Sequence, residues 1–137
     1  MTYPIAKGLV INSRLASAMI TKITLSEWGY QVDTDYSIKS AERDSKISGN
    51  NYDFVLIESN FVDEEILNLP LMLRSLANNN DLPVFFRTSR SNNELELMTL
   101  ENGYDLHCVK NTVTDISKEM LDEFVAFSNS KDEGSSN

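Results

Sequence analysis

The sequence has a single cysteine, Cys108, so no internal disulfide can form and a reducing compartment is the natural setting. It has a single histidine, His107, and no histidine–cysteine cluster of metal-binding spacing. Basic side chains are scarce, 12 against 21 acidic ones, and the resulting net charge of -9 argues against a nucleic-acid backbone or an anionic membrane as a direct partner. No apolar run approaches the length of a membrane-spanning helix, and the opening "MTYPIAKGLVIN" lacks the apolar core of a signal peptide. A cytoplasmic location is expected. A glycine-rich phosphate loop and a nucleophile–base pair are also missing, so no enzymatic activity is expected.

What is present is ordinary globular material. Hydrophobic residues make up 41% and charged residues 24% of 137 positions, enough for one domain with a real core. Strand-like runs at Gly8–Asn12, 30–37, 53–58, 83–89 and 104–110 alternate with helical segments. In the first helix Leu15, Met19, Ile23 and Trp28 recur at helical spacing before Gly29, a natural stop. The segment "IKSAERDSKISGN" reads as a short polar helix ending before Gly49. In "ILNLPLMLRSLANNN", Asn68 is a candidate cap and Pro70 fits a first turn. Ser91 and Glu94 match a capping box for a helix that stops at Gly103. In "TVTDISKEMLDEFVAF", Ile116, Met120, Leu121, Phe124 and Val125 share one face. The domain is expected over residues 1–127, with 128–137 a flexible polar tail or the start of a linker.

Five strands alternating with five helices predict an α/β fold: a flavodoxin-like, doubly wound parallel sheet of order 2-1-3-4-5 with helices on both faces. Ligands of such sheets meet the carboxyl ends of the strands. Here those ends are Asn12 and Ser13, Glu58, Thr88 and Ser89, and Lys110.

This constellation resembles the receiver domain of two-component response regulators over roughly residues 8–127. "YDFVLIESN" is similar to the strand that ends in the phospho-accepting aspartate, "LPVFFRTS" to the fourth strand with Thr88 at the hydroxyl position, and "ENGYDLHCVK" to the fifth, with Gly103 and Lys110 matching. The departures are specific. Glu58 stands for the phosphoacceptor. Asn12 and Ser13 replace the acidic pair that holds magnesium, and Asn60 also falls at a metal-site position. His107 replaces the aromatic switch residue, and Asn111 the proline after the lysine.

Phosphoryl transfer depends on positioning and on a metal that neutralises charge. Magnesium prefers one or two carboxylates with water and phosphate, and Glu58 is the only evident one. The resemblance therefore implies no cofactor, with magnesium binding weak or absent, and a degenerate receiver acting independently of phosphorylation as a protein-interaction or regulatory module. Two alternatives stay open: a receiver that still accepts phosphate, and a small-molecule or anion sensor using the same crevice. The partner would be a signalling protein, such as a histidine kinase or an attached output domain, with the fourth helix, fifth strand and fifth helix as the family's usual partner or homodimer face. Leu97, Met98 and Tyr104 could extend apolar contact there or lie in the core.

Five local expectations follow. A Glu58–Lys110 ion pair would replace the lysine–phosphate contact. The Lys110–Asn111 bond should be trans, because a non-proline cis bond costs about 2.5–4 kcal/mol. Thr88 should satisfy backbone groups, and His107 should fill an aromatic slot as a neutral, partly buried ring. Cys108 should be a small buried hydrophobe.

Overall fold

A computed structural model describes residues 5–43, 47 and 52–135, with side chains as far as 126. Its elements alternate from β1 (Lys7–Asn12), α1 (Leu15–Glu27), β2 (Gln31–Asp35) and α2 (Ile38–Arg43) to β3 (Phe54–Glu58) and α3 (Glu64–Leu76). They continue through β4 (Val84–Thr88), α4 (Asn93–Glu101), β5 (Leu106–Val109) and α5 (Lys118–Ser135). The five strands form one parallel sheet in the order β2-β1-β3-β4-β5, as the alternation predicts.

The strands are buried on both faces, and the two-residue period divides them between two cores. Leu9, Ile11, Val55, Ile57, Val84 and Phe86 pack under α2 and α3. Val10, Phe54, Leu56, Phe85 and Cys108 pack with Leu25 of α1 and with Leu121 and Val125 of α5. Phe54 sits edge-on to Tyr30 with ring centroids 5.4 Å apart, and its ring lies against Gly8 on the neighbouring strand. A Cβ at Gly8 would come within 2.1 Å of that ring, so the glycine makes room for the phenylalanine.

Several helix boundaries differ from the sequence reading. The third helix begins at Glu64 with Asp63 as its cap, the Asp63 Oδ1 accepting from the Ile66 amide at 2.8 Å, so Asn68 is not the cap. Pro70 therefore lies in the helix interior, where its missing N–H leaves the Ile66 carbonyl without its usual partner. The Tyr104 hydroxyl donates to that carbonyl at 2.5 Å and takes the place of the lost bond. In α4 the cap is Asn92, which accepts from the Leu95 amide at 2.9 Å, and Ser91 is drawn to His107 instead. Helix α5 starts only at Lys118, because Thr112 to Asp115 form a tight loop. Its backbone runs on to Ser135, over most of the stretch expected to be a flexible tail. Gly49, the expected end of the second helix, lies outside the described residues.

Gly29 and Gly103 close α1 and α4 at φ +100° and +98°, the left-handed stop that glycine allows. The helical spacing of Leu15, Met19 and Ile23 leaves open which way the first helix faces. Leu15, Met19 and Ile23 face solvent, and Ala18, Thr21 and Leu25 face the sheet.

Candidate functional site

The carboxyl ends of β1, β3 and β4 bring Asn12, Glu58 and Arg87 side by side, in register as Cα partners across three strands. All three side chains leave the sheet toward α1 and α5, because they share the parity of Val10, Leu56 and Phe85. Glu58 is buried, and both of its carboxylate oxygens are occupied. Asn12 Nδ2 donates to Oε1 at 3.1 Å, while Thr21 Oγ1 of α1 and Arg87 Nη1 each donate to Oε2 at 2.9 Å.

Arg87 is shared. Its Nε and Nη2 form a two-pronged contact with Asp115 in the β5–α5 loop, at 2.8 and 3.0 Å. Asp115 in turn accepts from the amides of Asn111 and Ile116, so the guanidinium ties the loop after β5 to the end of β3. Burial pulls the Arg87 guanidinium toward deprotonation, but its bonds to Asp115 and Glu58 outweigh that and hold it more firmly charged than usual. For Asp115 burial works upward, and the Arg87 bonds and backbone amides win, holding its carboxyl below the usual range.

The expected Glu58–Lys110 pair is thus corrected: the cation on Glu58 is Arg87 from the adjacent strand. Lys110 forms no ion pair among the described residues and lines the cavity above the sheet. Arg87 and Asp115 carried no weight in the sequence reading. The available signal was a lone arginine inside an otherwise apolar strand, which must meet an acid if its head group stays inside.

Residues Asn12, Ser13, Glu58, Asn60, Thr88, Ser89 and Lys110 all border one cavity of about 260 Å³, joined there by Arg14 and Arg87. Within it the polar groups are largely turned to each other. Thr88 Oγ1 donates to the Arg90 carbonyl at 3.1 Å, as expected for a loop-satisfying hydroxyl. Asn60 Oδ1 accepts from the Ser89 amide at 3.4 Å, and Asn12 Oδ1 from the Arg14 amide at 2.9 Å. The donor set is a poor match for magnesium. Glu58 is its only carboxylate, a guanidinium already occupies that carboxylate, and the Asn12 carbonyl is already used.

His107 lies on the other face of the sheet. Its ring packs on Phe86 with centroids 5.3 Å apart and is buried as expected. Thr99 Oγ1 gives its proton to the Glu96 carbonyl and so accepts from His107 Nδ1 at 2.7 Å; Ser91 then donates to Nε2 at 2.5 Å in preference to its longer 3.3 Å contact with the Asn92 carbonyl. This is the pattern of a neutral imidazole, and burial pulls its pKa below the ordinary value. The Cys108 thiol is fully buried and pushed up to about 12, chiefly by that burial. Tyr104 is core rather than surface, while Leu97 is exposed on α4. Among the described residues no peptide bond is cis, and Asn111 turns the loop after β5 at φ 62°.

No family model matches the sequence, and no curated protein matches it either. Solved structures do resemble the fold. A response regulator receiver domain protein (CheY-like) from Methanospirillum hungatei superposes with a TM-score of 0.73 at 17% identity, covering 93% of this chain and 99% of that one. A response regulator from Thermotoga maritima gives 0.74 at 18% identity, covering 90% and 99%. A two-component response regulator from Clostridium difficile gives 0.68 at 24% identity, covering 90% and 94%. With its sheet order and its crevice at the strand ends, this chain has the CheY-like fold of the response regulator receiver domains.

Proposed function

We propose that the chain is a receiver-type signalling domain of the cytoplasm that works without phosphorylation and without enzymatic activity, as a protein-interaction and regulatory module. The observation that carries this reading is the occupancy of Glu58. Asn12, Thr21 and Arg87 engage both oxygens of the carboxylate that stands for the phosphoacceptor. An attacking carboxylate must hold a free lone pair in line with the phosphoryl group, beside a metal that offsets charge. Here three of the carboxylate's four lone-pair sites accept hydrogen bonds, and the nearby charge is a fixed guanidinium. Magnesium binding is expected to be weak or absent on the same grounds. The Glu58–Arg87–Asp115 array also joins three segments, the end of β3, the end of β4 and the loop before α5, and so holds one conformation permanently.

The test is an amide NMR titration with magnesium and then with acetyl phosphate, with the intact mass followed in parallel. Unchanged spectra at Asn12, Glu58 and Lys110 and an unchanged mass support the reading. A phosphate-sized mass gain, with shifts at those residues, overturns it.

A second reading is favoured by one observation. Glu58 would repel an anion in the crevice, but Arg87 offsets part of its charge, and Arg14 and Lys110 also line the cavity. An anion held there without covalent transfer would shift Lys110 and Ser89 on titration with inorganic phosphate alone, at unchanged mass.

A further inference from the structure

We propose that α1 is a self-association surface, on which two copies of this chain pair antiparallel about a two-fold axis. The inference is independent of the crevice chemistry. A helix packed on a sheet ordinarily buries its large apolar side chains and shows its polar ones. Helix α1 follows this rule only at Leu25. It buries Ala18, Thr21 and Leu25, while Leu15, Met19, Ile20 and Ile23 are 74%, 50%, 59% and 55% exposed. The spacing i, i+4, i+8 aligns Leu15, Met19 and Ile23 in one stripe, with Ile20 beside it. Single exposed apolar residues are commonplace, whereas a contiguous stripe of four on one helix marks a contact surface. This orientation has a cause in the fold. Thr21 must face inward to bond Glu58, and that turns the large side chains out.

The charges at the ends of the stripe select its occupant. Arg14 directly precedes α1 and Glu27 is its last residue; both are exposed, and neither forms an ion pair among the described residues. Antiparallel pairing centred near Met19 sets Leu15 against Ile23 of the second copy and leaves Arg14 offset from its Glu27 by about three residues, ~4.5 Å along the helix axis. The contact then occurs twice, once at each end, as a two-fold requires. Each helix N-terminus also meets the other's C-terminus, which the helix dipoles favour.

The net charge of -9 opposes self-association in general. Yet the segment from Arg14 to Glu27 holds two basic residues, Arg14 and Lys22, against the single acid Glu27. Helix α4 is the contrasting case. Its exposed Leu97 and Leu100 are flanked by Glu94, Glu96 and Glu101 with no basic residue, so a two-fold there would set acids against acids.

Sedimentation equilibrium of the full chain over a range of concentrations tests this. We expect a reversible dimer. Met19→Glu and Ile23→Glu, both at exposed positions, should each weaken it at least about tenfold while circular dichroism and urea unfolding of the monomer stay unchanged. Glu27→Arg should weaken it as well, and adding Arg14→Glu should restore it. A wild-type chain that stays monomeric throughout overturns the proposal and assigns the stripe to a different partner. A dimer that survives both stripe variants but is lost with Leu100→Glu also overturns it, in favour of α4.

Discussion

Arg87 Nη1 lies 2.9 Å from Glu58 Oε2, the two residues facing each other across adjacent parallel strands at their carboxyl ends. The strand thus ends on an acid whose cation is supplied from within the sheet itself. Their side chains are only 14% and 6% exposed, so each depends on the other to offset lost hydration.

Removing one partner should expose that dependence. Arg87→Leu leaves Glu58 buried with only neutral donors and frees Asp115, and we expect a loss of about 3 kcal/mol in urea unfolding. The double variant Glu58→Leu/Arg87→Leu should recover part of it, because the buried carboxylate is gone. A single variant as stable as the wild type would show that the pair is solvated and incidental.

His107 and Asp115 make stability depend on pH, and the half-exposed Asp122, also held below the usual carboxylate range, adds to the acid limb. The neutral His107 has a folded pKa below its unfolded value of about 6.5, so the unfolded chain takes up the proton first. Its contribution is complete above about pH 6.5 and is lost as the pH falls toward the folded value. Asp115 is also depressed, with Arg87 outweighing burial, so its contribution is complete above the ordinary carboxylate value of about 3.9 and is lost at still lower pH. Stability measured from pH 8 to pH 3 should therefore fall in two stages. His107→Gln should remove the first stage and leave the second.

The Gly8–Phe54 contact predicts an overpacking penalty. Gly8→Ala should destabilise by about 1–3 kcal/mol, because the ring that the new methyl meets is itself held between Tyr30 and Phe85. Trimming that ring in Gly8→Ala/Phe54→Leu should cost less than the sum of the two single substitutions. Strict additivity would show that the methyl is accommodated elsewhere.

Tyr104 and Pro70 should be coupled through one carbonyl. Tyr104→Phe strips the Ile66 oxygen of its donor and should cost about 1–2 kcal/mol. Pro70→Ala supplies an amide for the same oxygen, so it should be more favourable in the Tyr104→Phe background than in the wild type. A double-mutant cycle with no interaction energy would place the Tyr104 effect in packing alone.

The sheet and its order were legible in the sequence because they rest on local and periodic signals. Apolar runs such as Phe54–Ile57 alternate with helical segments, Gly29 and Gly103 stop two helices in the left-handed conformation that few other residues tolerate, and right-handed crossovers leave few orders for five parallel strands. The positions around the crevice were legible for the same reason, since strand ends in this topology converge whatever side chains they carry. What the chain order could not settle was which groups would meet. Lys110 and Arg87 both border the cavity that holds Glu58, and the choice fell to Arg87 because its register places it directly opposite on the same face, with Asp115 brought back by the loop before α5. In α1, helical spacing located the apolar stripe but not the side it faces, which the Thr21–Glu58 bond decides. Pro70 looked like a helix start until Tyr104, 34 positions later, supplied the missing donor. Each of these outcomes turns on hydrogen bonds or ion pairs between residues far apart in the chain, and such partners are chosen by three-dimensional proximity rather than by any local pattern.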